Sequence, residues 1–170
     1  MNNEKKVKEG YLLKLDGVGT SYSTVASLFP GVRVLAIEGF ETRGEATNVY
    51  TAQWIGEQEE DVTIATQGTG VVYTNTDLEV TFIVSDRYDV AGGTPPDVVT
   101  QHEAFLSYMT AQGKVWIRSL YDMEEVCCIA LDEYQPTRRR LRRARGENYI
   151  LGTLKMHMTQ RPTEVVIDNT

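Results

Sequence analysis

Few side chains in this chain are of a type that could perform chemistry. Among its 170 residues are two histidines, His102 and His157, and two cysteines, Cys127 and Cys128. Hydrolytic catalysis needs a nucleophile beside an imidazole base that a third group orients. Neither histidine stands in a motif such as a nucleophile elbow. His102 falls inside a helical period and His157 on the polar face of a strand, so packing and solvation account for both. The two cysteines are neighbours in VCCIAL, which reads as a strand. Their side chains then point to opposite faces, cannot easily pair, and are expected to be reduced packing residues. So small a set of imidazoles and thiols predicts no metal site.

Glycine and carboxylate patterns are equally bare. GVG (17–19) and GTG (68–70) continue neither as G-x-G-x-x-G nor as a phosphate loop with Lys and Ser/Thr, and they read as turns. Two acidic runs occur, Glu57, Glu59, Glu60 and Asp61, then Asp122, Glu124 and Glu125. A catalytic acid needs an apolar pocket to raise its pKa, whereas a run of carboxylates is a solvated loop, and no EF-hand spacing is present. No catalytic, cofactor-binding or metal-ligating residue is assigned, no cofactor is expected, and the chain is not expected to be an enzyme.

One segment stands out. TRRRLRRARGEN (137–148) holds Arg138, Arg139, Arg140, Arg142, Arg143 and Arg145, six of the 17 basic residues. The remaining 11 basic residues face 24 acidic ones, so a body of charge −13 carries a cationic arm, which the overall net charge of −7 conceals. The arm, within 133–148, joins a strand ending near Asp132 to one beginning near Asn148, which makes it a β-hairpin held at both ends. In extended backbone Arg138, Arg140 and Arg142 lie on one side and Arg139, Leu141 and Arg143 on the other. Three readings are open: phosphate binding on nucleic acid, a solvated loop, and docking onto an acidic surface of a second copy. An acidic body opposes DNA approach, interleaved aromatics are missing, and six neighbouring arginines repel. The balance favours docking, with Glu57, Glu59, Glu60 and Asp61 as the acidic counterpart.

The elements that must hold these residues are mostly strands. YLLKLD (11–16), VRVLAIE (32–38), NVYTAQWI (48–55), DVTIAT (61–66), VVYT (71–74), LEVTFIVS (78–85), KVWIRSL (114–120), EVCCIALD (125–132) and NYILGTLKMHM (148–158) are rich in β-branched and aromatic residues and bounded by turn formers. In 78–85, Leu78, Val80, Phe82 and Val84 share one face; in 148–158, Ile150, Leu154, Met156 and Met158 do. Only 94–113 has a helical period, with Val98, His102, Phe105, Leu106 and Met109 on one stripe. Thr94 with Asp97 resembles a capping box, Pro95 suits the first turn and Gly113 the end, which predicts a helix over about 95–111. The segment 17–31 is a loop or holds one helical turn, and 38–47 and 57–61 are polar loops.

These signals predict a mainly β fold, an antiparallel β-sandwich or barrel of about 8–9 strands with one α-helix, in a single domain spanning 1–170. A chain of this length buries roughly two thirds of its unfolded surface and needs no staple. MNNEKKVKEG has no apolar core of signal-peptide length and no stretch reaches a membrane span, so the protein is expected on the cytosolic side with no membrane partner.

The order of elements over roughly 70–162 resembles the tail-tube fold of bacteriophage tail tube proteins, distal tail proteins and the tube subunits of contractile injection machines. The residues carrying the resemblance are LEVTFIVS, the helix VVTQHEAFLSYMT, KVWIRSLYD, EVCCIALDEYQPT with Tyr134 and Pro136 leaving the penultimate strand, and NYILGTLKMHM followed by TQRP. The similarity implies a structural virion protein without catalytic residues. It further implies a homo-oligomeric ring, usually a hexamer, whose sheets join edge to edge around a channel through which DNA passes without specific binding. Other tail or neck proteins would be its partners and the phage tail its location. The resemblance does not separate a tube subunit from a distal-tail or neck/terminator ring. A reading of another class is a monomeric β-barrel module that binds nucleic acid or another anionic ligand through the arginine arm.

Overall fold

Alternation of apolar and polar residues gives this chain its strands, and the two with the widest apolar faces pair with each other inside the sheet. A computed structural model describes residues 10–17, 19–40, 49–53, 61–65, 76–88, 97–110, 114–130, 134–142 and 146–165. The strands are β1 (Tyr11–Leu15), β2 (Ser23–Thr24), β3 (Val32–Glu38), β4 (Val49–Gln53), β5 (Asp61–Ala65), β6 (Asp77–Ser85), β7 (Val115–Ser119), β8 (Glu124–Ala130), β9 (Pro136–Arg140), β10 (Tyr149–Met158) and β11 (Thr163–Glu164). Two helices, α1 (Val25–Leu28) and α2 (Val98–Thr110), complete the described elements.

The chain divides into two compact units, Glu41–Thr76 and the remainder. In the smaller unit β4 and β5 form an antiparallel hairpin in which Val49 faces Ala65 and Gln53 faces Asp61. The larger unit holds one nine-stranded antiparallel sheet of order β2-β1-β7-β8-β10-β6-β3, with β11 added to β8 and β9 added to β10. The fold is therefore mainly β, as its pattern predicts, but the barrel alternative is corrected: the sheet is open. Its ends approach without a strand ladder between them. The Tyr11 hydroxyl on β1 accepts the N–H of Ile37 on β3 at 3.3 Å, a single side-chain bond where a closed barrel would have paired backbones.

The core lies on one face of this bent sheet. Leu78, Val80, Phe82 and Val84 of β6 and Ile150, Leu154, Met156 and Met158 of β10 are all buried, on the faces their alternation assigns them. These two strands pair from Tyr149↔Ser85 to His157↔Asp77, so their apolar faces merge into one surface. Helix α2 covers it with Val98, Phe105 and Met109. Phe105 lies against Phe82 and Phe29 at ring centroid separations of 4.6 and 5.6 Å. Burying each such side chain contributes roughly 1.5–3 kcal/mol before entropy, so the helix is held mainly by this stripe.

Several boundaries differ from expectation. Helix α2 runs 98–110, and its N-cap is Asp97, whose carboxylate accepts the N–H of Thr100 at 3.1 Å. Asp97 itself thus does the capping expected of Thr94; Thr94, Pro95 and Gly113 lie outside the described residues, as does 71–74. The stretch 17–31 holds β2 and the single turn α1, whose N-cap Thr24 accepts the N–H of Ser27. Cys127 and Cys128 are both free and both buried, Cys128 within the main core cluster, so β8 is covered on both faces. Burial pushes the Cys128 thiol up to about 12, which leaves it an inert packing group. No described helix is long and apolar enough to cross a membrane.

Candidate functional site: the arginine arm

The arm is built by two strands of unequal character. Inner strand β10 alternates buried residues with half-buried ones and the exposed Lys155, whereas every residue of β9 is exposed. Pairing runs Arg140↔Tyr149, Arg139↔Ile150 and Arg138↔Leu151, then shifts so that Pro136 faces Gly152. Because β8 pairs with the other half of β10, at Met156 to Met158, β8 and β9 line the same edge of one long strand in succession. The outer edge of β9 carries no further strand among the described residues.

Directly paired residues in an antiparallel sheet share a face. Arg139 therefore points to the core side with Ile150, while Arg138 and Arg140 point to the opposite side with Leu151 and Tyr149. That is the division the alternation predicts. On the latter side Glu147 lies 3.6 Å from the Arg140 guanidinium and 3.3 Å from that of Arg142. All three side chains are more than a third exposed, so these ion pairs fix geometry and contribute little stability. Arg143 and Arg145 lie outside the described residues.

Two anchors hold the arm. At its turn, Asp86 accepts N–H groups from Gly146 at 3.0 Å and Asn148 at 3.1 Å, and the Asn148 side-chain amide at 2.7 Å. Slight burial pushes the Asp86 carboxyl upward, but these hydrogen bonds outweigh it and hold the group below its ordinary value. Arg87 Nε also donates to the Gly146 carbonyl. At the root, Tyr134 crosses Gly152, where a side chain's Cβ would stand 2.2 Å from the tyrosine oxygen. The Tyr134 hydroxyl meets His102 Nε2 on α2 at 2.9 Å, and both rings stack on Phe82. Burial, reinforced by the positive charge of Arg139, lowers the His102 pKa, and burial raises Tyr134 to about 12. His102 is thus a packing and latching residue of the arm.

The other sequence candidates fall elsewhere. Glu57, Glu59 and Glu60 lie outside the described residues, and Asp61 opens β5 in the smaller unit. Asp122 accepts the Ser119 hydroxyl in the β7–β8 turn, and Glu125 pairs with Arg118 at 2.7 Å. His157 pairs with Asp77 at 2.7 Å on the sheet surface. Among the described residues no three His, Cys, Asp or Glu side chains gather as a metal cluster. Alternation alone gave no sign of Asp86, Glu147 or the Tyr134–Gly152 contact, because each depends on a pairing register between distant segments. The one available signal was Gly152 itself, a glycine inside an otherwise strong strand. No family model and no curated protein matches this chain.

Proposed function

We propose that this chain is a structural subunit of bacteriophage tail-tube type that acts by assembling into a homo-oligomeric ring, in the virion, around a channel for DNA. The observation that carries this reading is β9, a fully exposed edge strand with three consecutive arginines on a chain whose remainder is strongly acidic. An edge strand with unsatisfied backbone groups invites another chain, and a cationic edge selects an acidic one. The acidic body supplies that surface on the next copy, through Glu57, Glu59, Glu60 and Asp61 or other carboxylates. Repetition of one such heterologous contact closes a ring when its rotation permits, and a hexamer is the size the resemblance favours. An acidic inner wall would let DNA pass by like-charge repulsion. A distal-tail or neck/terminator ring is the alternative within this class.

The competing reading, a monomeric module for nucleic acid or another anion, is favoured by a cleft that Arg87 and Arg140 help to line beside the arm. Light scattering and negative-stain imaging over a wide concentration range separate the two. Rings or tubes that disappear when Arg138→Glu and Arg139→Glu are introduced, with the circular dichroism of the fold retained, support assembly. A monomer at every concentration refutes it, and assembly unchanged by the charge reversal removes the arm from the interface.

A further inference from the structure

A cleft of about 300 Å³ opens where the end of β6 meets the turn of the arm, lined in part by Ile83, Arg87, Tyr88, Arg140, Glu147 and Tyr149. Its charge runs against the chain as a whole. Among the described residues, Arg33, Arg87, Arg140 and Arg142 lie in or beside it against the carboxylates of Asp86 and Glu147, an excess of two positive charges on a protein of net charge −7. Asp86 is already committed to Gly146 and Asn148, so its oxygens are not offered to a ligand.

The walls are held in place before any ligand arrives. Arg33 donates to the carbonyls of Pro30 and Val32 at 2.9 and 2.8 Å, and its guanidinium covers one face of the Tyr88 ring at 4.4 Å. The Arg87 N–H donates to Ser85 Oγ at 3.2 Å and its Nε to the Gly146 carbonyl. The terminal amino groups of Arg87 have no partner among the described residues. Arg140 stands 3.6 Å from Glu147, an ion pair too long for a hydrogen bond, so among the described residues its donors remain available. Two guanidiniums with free donors beside two tyrosine rings match a phosphate attached to a planar ring, and the volume suits one such unit.

We propose that this cleft binds a nucleoside phosphate, with the phosphate between Arg87 and Arg140 and the base against Tyr88 or Tyr149. The source is a free nucleotide or one unit of a single strand. The site needs no second copy and does not depend on the ring.

Isothermal titration of the full chain with adenosine monophosphate, adenosine, inorganic phosphate and a short oligothymidylate tests it, at a concentration where the protein is monomeric. The nucleotide should bind roughly tenfold more tightly than phosphate or adenosine, the worth of one stacked base or one charge-assisted contact, and should weaken with added salt. Tyr88→Leu should weaken the nucleotide and leave phosphate unchanged. Arg140→Gln should cost roughly tenfold without loss of fold, since among the described residues this side chain makes no hydrogen bond and only an exposed ion pair to Glu147. Arg87→Gln should do the same, and Arg140→Gln decides the matter if loss of the Gly146 contact unfolds the arm. Tighter binding of the oligonucleotide than of the mononucleotide identifies a strand as the source, and equal binding identifies the free nucleotide. No binding of any probe at millimolar concentration overturns the proposal, as does nucleotide affinity unchanged in Arg140→Gln.

Discussion

Gly152 is the position at which one methyl group should have the largest consequence. It sits on β10 opposite Phe82 of β6 and Pro136 of β9, at the register shift that starts the arm. The Cβ of an alanine there would lie 2.2 Å from Tyr134 Oη and 3.0 Å from the ring atoms Cε2 and Cζ. The ring must move by more than an ångström to reach ordinary contact. Moving it breaks the 2.9 Å bond to His102, which contributes about 1 kcal/mol, and loosens the stacking on Phe82, at about 0.5–1.5 kcal/mol per aromatic pair. Against this, alanine is better than glycine in a strand by roughly 0.5–1 kcal/mol. Gly152→Ala should therefore destabilise the protein by about 0.5–2 kcal/mol in urea unfolding followed by circular dichroism. The decisive comparison is a double-mutant cycle with Tyr134→Ala. Once the ring is gone, Gly152→Ala should be neutral or stabilising by up to about 1 kcal/mol. An equal cost in both backgrounds would refute the view that the tyrosine is what requires glycine here.

Four further outcomes follow from the same geometry. Phe105→Ala should cost about 3–5 kcal/mol, because the side chain is wholly buried between α2 and the sheet; a smaller loss in denaturant unfolding would mean the helix is not docked by this stripe. His102 is held neutral by burial and by Arg139, so its folded pKa lies below the value near 6.5 of the unfolded chain. The unfolded state then binds the proton first, and stability, complete above about pH 6.5, should fall as pH drops below it; His102→Gln should flatten this part of the Tm profile. Asp86→Ala should speed trypsin cleavage between Arg138 and Arg145 several-fold by freeing the turn of the arm, with the sheet intact by circular dichroism; an unchanged rate would show that Asp86 does not hold it. Cys127 and Cys128 should resist a thiol reagent in the native protein and react together in denaturant, whereas rapid native labelling would contradict their burial.

Most of the strand positions were legible because a period of two leaves a mark in any stretch that buries one face. Leu78 to Val84 and Ile150 to Met158 announce themselves in this way, and α2 does so through the stripe Val98, His102, Phe105 and Met109. The ends of elements were less legible. The Asp97 cap and the Thr24 cap of α1 each depend on one side chain meeting one N–H, which local sequence offers at several positions without ranking them. The cationic arm was visible from composition, and the division of its arginines between two faces from alternation.

What the sequence determined by itself is thus a mainly β chain with one amphipathic helix, an acidic body and a basic hairpin, because burial periodicity and charge are properties of neighbouring residues. Only the tertiary structure decided that the sheet stays open, that β9 is an edge, and that Tyr134, Gly152 and His102 form a latch while Asp86 fastens the turn. Each of these joins residues far apart in the chain, such as Asp86 with Asn148 or His102 with Tyr134. Their meeting is set by strand order and register, which many sequences of the same pattern could satisfy differently.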